Sequence, residues 1–330
     1  MPTSTTRTLV LRGRLRRPLP AKRPALPNPD DPLALFGNGP PWWTISMGKP
    51  WQRPSSSARE AKKQRDATVF KLRWHAKRVA LLAGNPTPMS LAASALADKL
   101  DACAPPRNPC LSGACPVCIR AQQRWFVTDT VHVLRPLVRR GYQAQVLSLV
   151  PELGRVPVGN LNTCDIETFL DSVRDALKAS GVAHYKLGLD ISLNQRAGVA
   201  SSKVWQLQLW GFFHEPKRGW QAQLKALLDP NDVMTRPVEV EKRDSLKATA
   251  AYGVKSTFDR RESYREANLH REDRGECWNT RRRHLRGDAW VELMLFLDRI
   301  GLQRRILSSA KSLSVAPLHS RNDPRLGRSK

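Results

Sequence analysis

YKLGLDISLN (185–194) and KVWQLQLWGFF (203–213) are the two segments that decide the fold of this chain. Both alternate between apolar and polar or small side chains, which is the period-two pattern of a half-buried strand. The intervening AGVASS has the composition of a loop. We therefore predict that the two segments pair as an antiparallel hairpin at the centre of a sheet.

Helical and extended patterns surround this hairpin. Helices are predicted at 58–83, 90–102, about 117–138, 166–180, 219–229, 245–258 and 290–301, and strands at 145–150 and 236–241. The expected fold is α+β, with a central antiparallel sheet flanked by helices and a helical, zinc-bearing N-terminal part. The predicted organisation is a disordered basic Pro-rich arm (1–57), a helical region (58–140), a sheet domain (141–258) and a basic helical C-terminal region with a loose tail (259–330).

The charge balance points to a polyanionic partner. The formal net charge is +26, from 55 Lys and Arg against 29 Asp and Glu, and an excess this large favours nucleic acid. No apolar run approaches the roughly 18 residues of a membrane helix, so no membrane is expected as a partner. The Arg-rich start also fits a transit peptide, but a nucleic-acid-binding arm in a reduced, cytoplasmic protein is favoured.

Four of the six cysteines lie within a short segment, as Cys103 followed by Cys110-x4-Cys115-Pro-x-Cys118. In a chain of this length, such clustering fits a metal site better than a disulfide framework. Closely spaced cysteines can point their sulfurs at one tetrahedral Zn²⁺. We predict a structural zinc bound by these four residues, with His132 as the alternative fourth ligand. Scattered buried thiols are the competing interpretation.

The helix after the cysteines carries three residues suited to nucleic acid, Arg120, Arg124 and Trp125. They would either face DNA or belong to an ordinary solvated surface.

Tyr252-x-x-Lys255 places a phenol and an ammonium group three residues apart in the predicted helix 245–258, one turn apart on one face. A lysine at this spacing follows none of the other tyrosines, Tyr142, Tyr185 and Tyr264. In a strongly basic chain, the pair points to DNA-strand chemistry with Tyr252 as nucleophile. The competing interpretation is a half-buried helical aromatic residue.

The order of these features resembles that of rolling-circle plasmid replication initiators of the HUH endonuclease superfamily. The likeness consists of C-x4-C-P-x-C, a strand, a helix, a strand with an acidic residue, a second strand and Y-x-x-K, over roughly residues 103–258. It implies that 141–258 is a nickase domain. In that family a tyrosine attacks a phosphodiester, forms a 5′-phosphotyrosyl intermediate and frees a 3′-hydroxyl for polymerase.

Carried to this chain, the resemblance makes Tyr252 the nucleophile, with Lys255 stabilising phosphate charge or lowering the pKa of the tyrosine. The implied partner is single-stranded or hairpin origin DNA, with a host helicase or polymerase acting alongside. The family also uses a divalent ion, held by two histidines and an acidic residue, to polarise the scissile phosphate.

The predicted divalent-ion site departs from the family pattern. Asp190 takes the acidic position, but Gln206 and Gln208 replace His-x-His on one face of the second strand. A register using Gln208 and Trp210 is also possible, and Gln206 with Gln208 is favoured. Two amides would bind Mg²⁺ or Mn²⁺ as neutral oxygen ligands, more weakly than two imidazoles.

Residues just beyond the strands offer further ligands, namely His184, His214 and Glu215, although each is more often a surface residue. Two other functions therefore remain open. One is a non-catalytic nucleic-acid-binding protein, acting as a replication accessory factor or repressor. The other is a zinc-ribbon regulator, which accounts for the cysteines and the charge but not for Tyr252-x-x-Lys255.

Overall fold

A mixed β-sheet with helices packed against it forms the described part of the chain. The computed structural model describes residues 57–105, 107–139, 145–196, 202–214, 216, 219–242, 246–267 and 276–309. The α+β class is confirmed within these residues. The predicted arm at 1–57 lies outside them apart from Ser57, as does the tail after residue 309.

The predicted helices are present, most with ends within a few residues of the expected positions. Among the described residues they are α1 (Ala58–Ala83), α2 (Pro88–Asp101), α3 (Pro116–Arg139), α4 (Ile166–Ala179), α5 (Trp220–Leu228), α6 (Leu246–Gly253) and α7 (Gly287–Ile300). Side-chain caps are present at the starts of α1, α2 and α4. The Ser57 side chain accepts from the amide of Glu60 at α1, and Asp165 accepts from the first amides of α4.

The strands pair around the predicted hairpin. They are β1 (Gln145–Leu149), β2 (Arg155–Pro157), β3 (Tyr185–Arg196), β4 (Val204–Phe213), β5 (Val238–Lys242), β6 (Asp259–Ala267), β7 (Glu276–His284) and β8 (Ile306–Ser308). The order is β5-β1-β4-β3-β6-β7, with β2 also on β4 and β8 also on β3. β3 and β4 are antiparallel, with Asp190 opposite Gln208, so the hairpin prediction is confirmed.

The prediction of an antiparallel sheet is wrong at one pair, because β6 runs parallel to β3. Helix α6 packs on β3 and β4 and carries the chain across the sheet from the β5 edge to the far side of β3. Because β5 runs opposite to β3, it ends on the side of the sheet where β3 begins, and the chain can enter β6 in the direction of β3.

The basic segment after residue 258 also differs from its predicted helical character. It forms the antiparallel strands β6 and β7 before α7 begins. Their arginine-rich sequences lack the apolar alternation that marks a strand, and they are held by backbone pairing. The short strands β2 and β8 are likewise unpredicted.

The two faces of the hairpin meet different partners. The face that bears Leu189 and Leu209 belongs to the main core, which also contains residues of α1, α2, α4 and α7. The opposite face bears Phe212 and the polar residues of β3 and β4, and it packs against α3 and α6. Polar side chains of the central strands consequently lie beneath α6.

Candidate functional site

Two glycines let helix α6 lie directly on the central strand. A Cβ at Gly188 of β3 would overlap the carbonyl oxygen of Gly253, and a Cβ at Gly253 would come within 2.8 Å of the carbonyl oxygen of Trp210. No larger residue fits either position without displacing the helix. This close approach holds Tyr252 and Lys255 at the sheet surface.

Tyr252 and Lys255 are neighbours, but not on a continuous helix. The predicted helix 245–258 is too long, since α6 ends at Gly253 and Lys255 lies in the turn that follows. Its ammonium nitrogen donates to the Tyr252 hydroxyl at 3.4 Å and lies 4.5 Å from the ring centroid. The Trp210 ring packs edge-on against Tyr252, with centroids 5.1 Å apart.

Asp190 connects this pair to the sheet. Its carboxylate is buried, and one oxygen accepts from Lys255 Nζ at 2.8 Å and from Gln208 Nε2 at 2.7 Å. The other oxygen accepts from the amide of Ile191 at 2.9 Å. The structure thus brings Tyr252, Lys255, Asp190 and Gln208 together on one face of the sheet.

Gln206 is directed elsewhere. Its side-chain amide donates to the carbonyl oxygens of Pro151, at 2.9 Å, and Leu207, at 3.0 Å. β1 pairs with residues 209–213 of β4, and β2 pairs with residues 204–206 on the same side. Neither pairing includes residues 207 and 208, which leaves a gap between the two strands. The Gln206 side chain fills that gap.

The donors around Asp190 do not fit a divalent ion. Such ions take several oxygen ligands, yet the one carboxylate here already accepts three donors, one of them an ammonium group that would repel a second cation. The Gln206 amide is bound to backbone carbonyls. The predicted Mg²⁺ or Mn²⁺ site therefore stays a prediction without support from this geometry.

The histidines proposed as extra ligands lie too far along the hairpin. His184 precedes β3 and His214 follows β4, with ring centroids 6.2 Å apart. His184 is six residues from Asp190, which is about 20 Å along a strand. Glu215 lies outside the described residues.

Arg305 is a member of the site that the sequence does not reveal. It is fully buried, and its guanidinium donates to the carbonyl oxygen of Lys255 at 2.7 Å and to that of Leu189 at 3.5 Å. Burial lowers the pKa of Arg305 to about 10, and the Asp190 carboxylate opposes that shift. Arg305 therefore connects the turn after α6 to β3. Its sequence neighbours Gln303 and Arg304 are polar, so the local sequence does not predict that Arg305 is buried.

The predicted cysteine cluster is assembled. The sulfur atoms of Cys103, Cys110, Cys115 and Cys118 all lie within 4.8 Å of one another. Cys103 and Cys118 are 3.6 Å apart, and Cys110 and Cys118 are 3.7 Å apart. Tetrahedral zinc with Zn–S of about 2.3 Å places its sulfurs about 3.8 Å apart. The four cysteines could therefore hold a metal ion such as zinc.

His132 is exposed and lies outside this group, which leaves Cys103 as the fourth member. Hydrogen bonds with the neighbouring thiols lower the pKa of Cys103 and raise that of Cys118. The four sulfurs cannot all be thiolates without a cation.

The cysteine cluster also joins separate helices. Arg65 of α1 donates to the carbonyl oxygen of Cys103 at 2.5 Å, and a Cβ at Gly113 would lie 2.5 Å from the carbonyl oxygen of Leu297 in α7. Cys118 itself belongs to α3. A metal here would stabilise the packing of three helices, which is a structural role.

Both interpretations of the helix after the cysteines are wrong. Arg120, Arg124 and Trp125 are buried, so they form neither a DNA-facing nor a solvated surface. Burial lowers the pKa of Arg120. The reason is that α3 packs against both α1 and α6, which leaves little of its surface in water.

Comparison with known proteins yields no relative: no sequence profile of a protein family matches this chain, and no curated protein or solved structure matches it either. Among the described residues, no helix combines the length and apolar character needed to cross a membrane. Function therefore has to be inferred from the geometry and charge of the site.

Proposed function

We propose that this chain is a DNA-binding replication initiator, resembling rolling-circle plasmid initiators, that cleaves single-stranded origin DNA through Tyr252. The observation that carries the proposal is the Tyr252 hydroxyl lying 3.4 Å from the Lys255 ammonium, which Asp190 in turn holds at 2.8 Å. A nucleophile beside a fixed positive charge is the arrangement that phosphoryl transfer requires. The net charge of +26 supports a nucleic-acid substrate.

The proposed step is a transesterification. The phenol oxygen of Tyr252 forms a bond to phosphorus while the bond from phosphorus to the 3′-oxygen breaks. The products are a 5′-phosphotyrosyl ester and a free 3′-hydroxyl. The phenol loses its proton to solvent, and the departing 3′-oxygen takes up a proton from solvent. A host polymerase then extends the 3′-hydroxyl.

Lys255 acts on the charges of this reaction. Its ammonium group stabilises the phenolate as it forms and the phosphate oxygens in the transition state, a contribution that falls to fixed charges in phosphoryl transfer. Asp190 and Gln208 are positioning residues, because they touch Lys255 or each other but not Tyr252. Trp210 supports the phenol ring from the side.

The test is formation of a covalent adduct. Purified protein is incubated with single-stranded fragments of the DNA that flanks its gene, with Mn²⁺ and separately with a chelator, and the products are separated under denaturing conditions. We expect a protein–DNA adduct that is absent in Tyr252→Phe. Tyr185→Phe is the matched control, since Tyr185 is buried in the main core on the opposite face of β3. An adduct that survives in Tyr252→Phe, or no adduct from the wild type on its cognate origin, would refute the proposal.

One observation favours the second candidate, a non-catalytic nucleic-acid-binding protein that acts as an accessory factor or repressor. The Asp190 carboxylate already accepts three protein donors, one of them the Lys255 ammonium, which does not suit the divalent ion that the resemblance implies. Salt-sensitive binding of origin DNA with no adduct in any metal would select this function.

A further inference from the structure

The strands β6 and β7 form a ribbon, here the arginine ribbon (259–265 and 279–284), in which like charges face each other. Arg260 pairs with Arg283, and Arg261 pairs with Arg282. Residues directly opposite in an antiparallel pair point to the same face, and like charges in that arrangement destabilise the pair. Both faces of the ribbon therefore carry an arginine pair that an anion would stabilise.

The acidic residues nearby do not balance this charge. One oxygen of Glu262 lies 2.7 Å from Arg281 and 3.7 Å from Arg283. A cleft of roughly 810 Å³ lies between the ribbon and the start of α7. Two carboxylates line this cleft, Asp259 and Glu262. They are outnumbered by the cationic side chains of its lining, which are Lys203, Arg260, Arg281, Arg282, Arg283 and Arg286.

The ribbon continues the sheet face that bears Tyr252. β6 pairs in parallel with the end of β3, which places Arg261 beside Asn194. Asn194 and Asp190 share a face of β3 because they are four residues apart, a separation of about 13 Å along the strand. Arg261 and Arg282 thus lie on the same face as the candidate active site, a few nucleotide lengths away.

We propose that the arginine ribbon binds the backbone phosphates of duplex DNA next to the strand on which Tyr252 acts. This inference rests on the proposed function, since it names the DNA form held beside that site. A two-stranded ribbon fits the major groove, which is about 12 Å wide. Duplex is favoured over single-stranded DNA because Arg261 and Arg282 come from different strands of the ribbon and can meet the two phosphate backbones that border a groove, whereas a single strand offers one backbone.

The test compares two charge-matched double variants. Arg261→Gln/Arg282→Gln removes the pair on the active-site face of the ribbon. Arg174→Gln/Arg236→Gln removes two exposed arginines elsewhere, on α4 and before β5. Binding is measured on a duplex and on a single strand of equal length, with no cleavage cofactor added, over a series of salt concentrations.

We expect the ribbon variant to lose about tenfold or more in duplex affinity at low salt. The log–log salt slope should become shallower by about 2, because roughly 0.9 is lost for each phosphate contact on duplex DNA. Single-strand affinity should change no more than in the control variant. Equal losses on both DNAs, or a duplex loss no larger than that of the control, would overturn the proposal.

Folding is checked by urea denaturation of the same variants. Removing two facing like charges should leave the midpoint unchanged or raise it, so weaker binding together with an unchanged midpoint supports phosphate contact. A lowered midpoint would mean that the two arginines stabilise the ribbon, which contradicts their proposed role. Because only binding is measured, absence of a Tyr252 adduct would refute the proposed function and leave this result standing.

Discussion

The ammonium nitrogen of Lys255 lies 2.8 Å from a carboxylate oxygen of Asp190, with side-chain exposures of 13% and 1%. The two residues come from a turn after α6 and from the central strand β3. Removing one partner of a buried ion pair leaves the other charge uncompensated. The pair therefore both stabilises the fold and fixes the positive charge that faces Tyr252.

Replacing Asp190 by Asn should lower the free energy of unfolding by about 3–5 kcal/mol, because the buried Arg305 and the partly buried Lys255 lose their counter-charge. Urea denaturation measures the change. The control is Asp171→Asn, whose partner Arg174 is exposed, and it should cost less than about 1 kcal/mol. Equal effects of the two substitutions would mean that the Asp190 charge is not structurally important.

Replacing Lys255 by Met should slow formation of the Tyr252 adduct by roughly 10²–10³-fold, the typical cost of removing one preorganised electrostatic donor. Single-turnover adduct formation measures the rate, and Lys255→Arg should restore part of it. Lys247→Met, which removes an exposed lysine from α6, is the control. A similar rate in the Lys247 and Lys255 variants would rule out the proposed role.

Gly188→Ala should displace α6, because the new methyl group overlaps the Gly253 carbonyl oxygen. Overpacking of this kind costs about 1–3 kcal/mol, and the shift would separate Tyr252 and Lys255 from Asp190. We expect lower stability in urea and loss of the adduct. Ser192→Ala, a smaller change on the same face of β3, should spare both. A Gly188→Ala protein that kept full stability and adduct formation would contradict the close contact between Gly188 and the Gly253 carbonyl oxygen.

Protein purified without added metal should contain one zinc ion per chain by elemental analysis. Cys115→Ser/Cys118→Ser should abolish binding and lower the thermal midpoint, since the cluster joins α1, α3 and α7. Cys164→Ser should keep the metal, because Cys164 is a free cysteine outside the cluster. Zinc retained in the double variant would exclude these ligands.

Stability should rise with pH in the alkaline range because of Lys186. Its ammonium is paired with Asp129, yet burial lowers the pKa of Lys186 below its usual value. The unfolded chain then binds the proton more tightly, so the fold gains stability as pH rises toward the unfolded pKa of about 10.4. Urea midpoints from about pH 8 to 10 should rise more in the wild type than in Lys186→Met. If the urea midpoint depended on pH in the same way in both proteins, the lowered pKa of Lys186 would be contradicted.

Local pattern was enough to predict several parts of this molecule. Period-two alternation predicted the pairing of 185–194 with 203–213, and helical periodicity predicted α1 and α4 closely. The cysteine spacing predicted the group that the structure assembles. Each of these features depends on residues close in sequence, whose relative positions follow from backbone geometry alone.

Other parts depended on tertiary packing. The strands β6 and β7 are rich in arginine and have no apolar alternation, so only their pairing with β3 and with each other identifies them. The burial of Arg120 and Arg124 follows from packing on both sides of α3. A basic helix sequence does not reveal how many of its faces are covered.

The amino-acid sequence by itself determined which residues were candidates: the tyrosine and lysine at 252 and 255, Asp190, and the two glutamines. Only the tertiary structure decided which of them meet. It brought Lys255 between Asp190 and Tyr252, turned Gln206 toward backbone carbonyls, and added Arg305 from 116 residues beyond Leu189. The physical reason is that burial, loss of hydration and close backbone approach, as at Gly188, arise from packed neighbours distant in the chain.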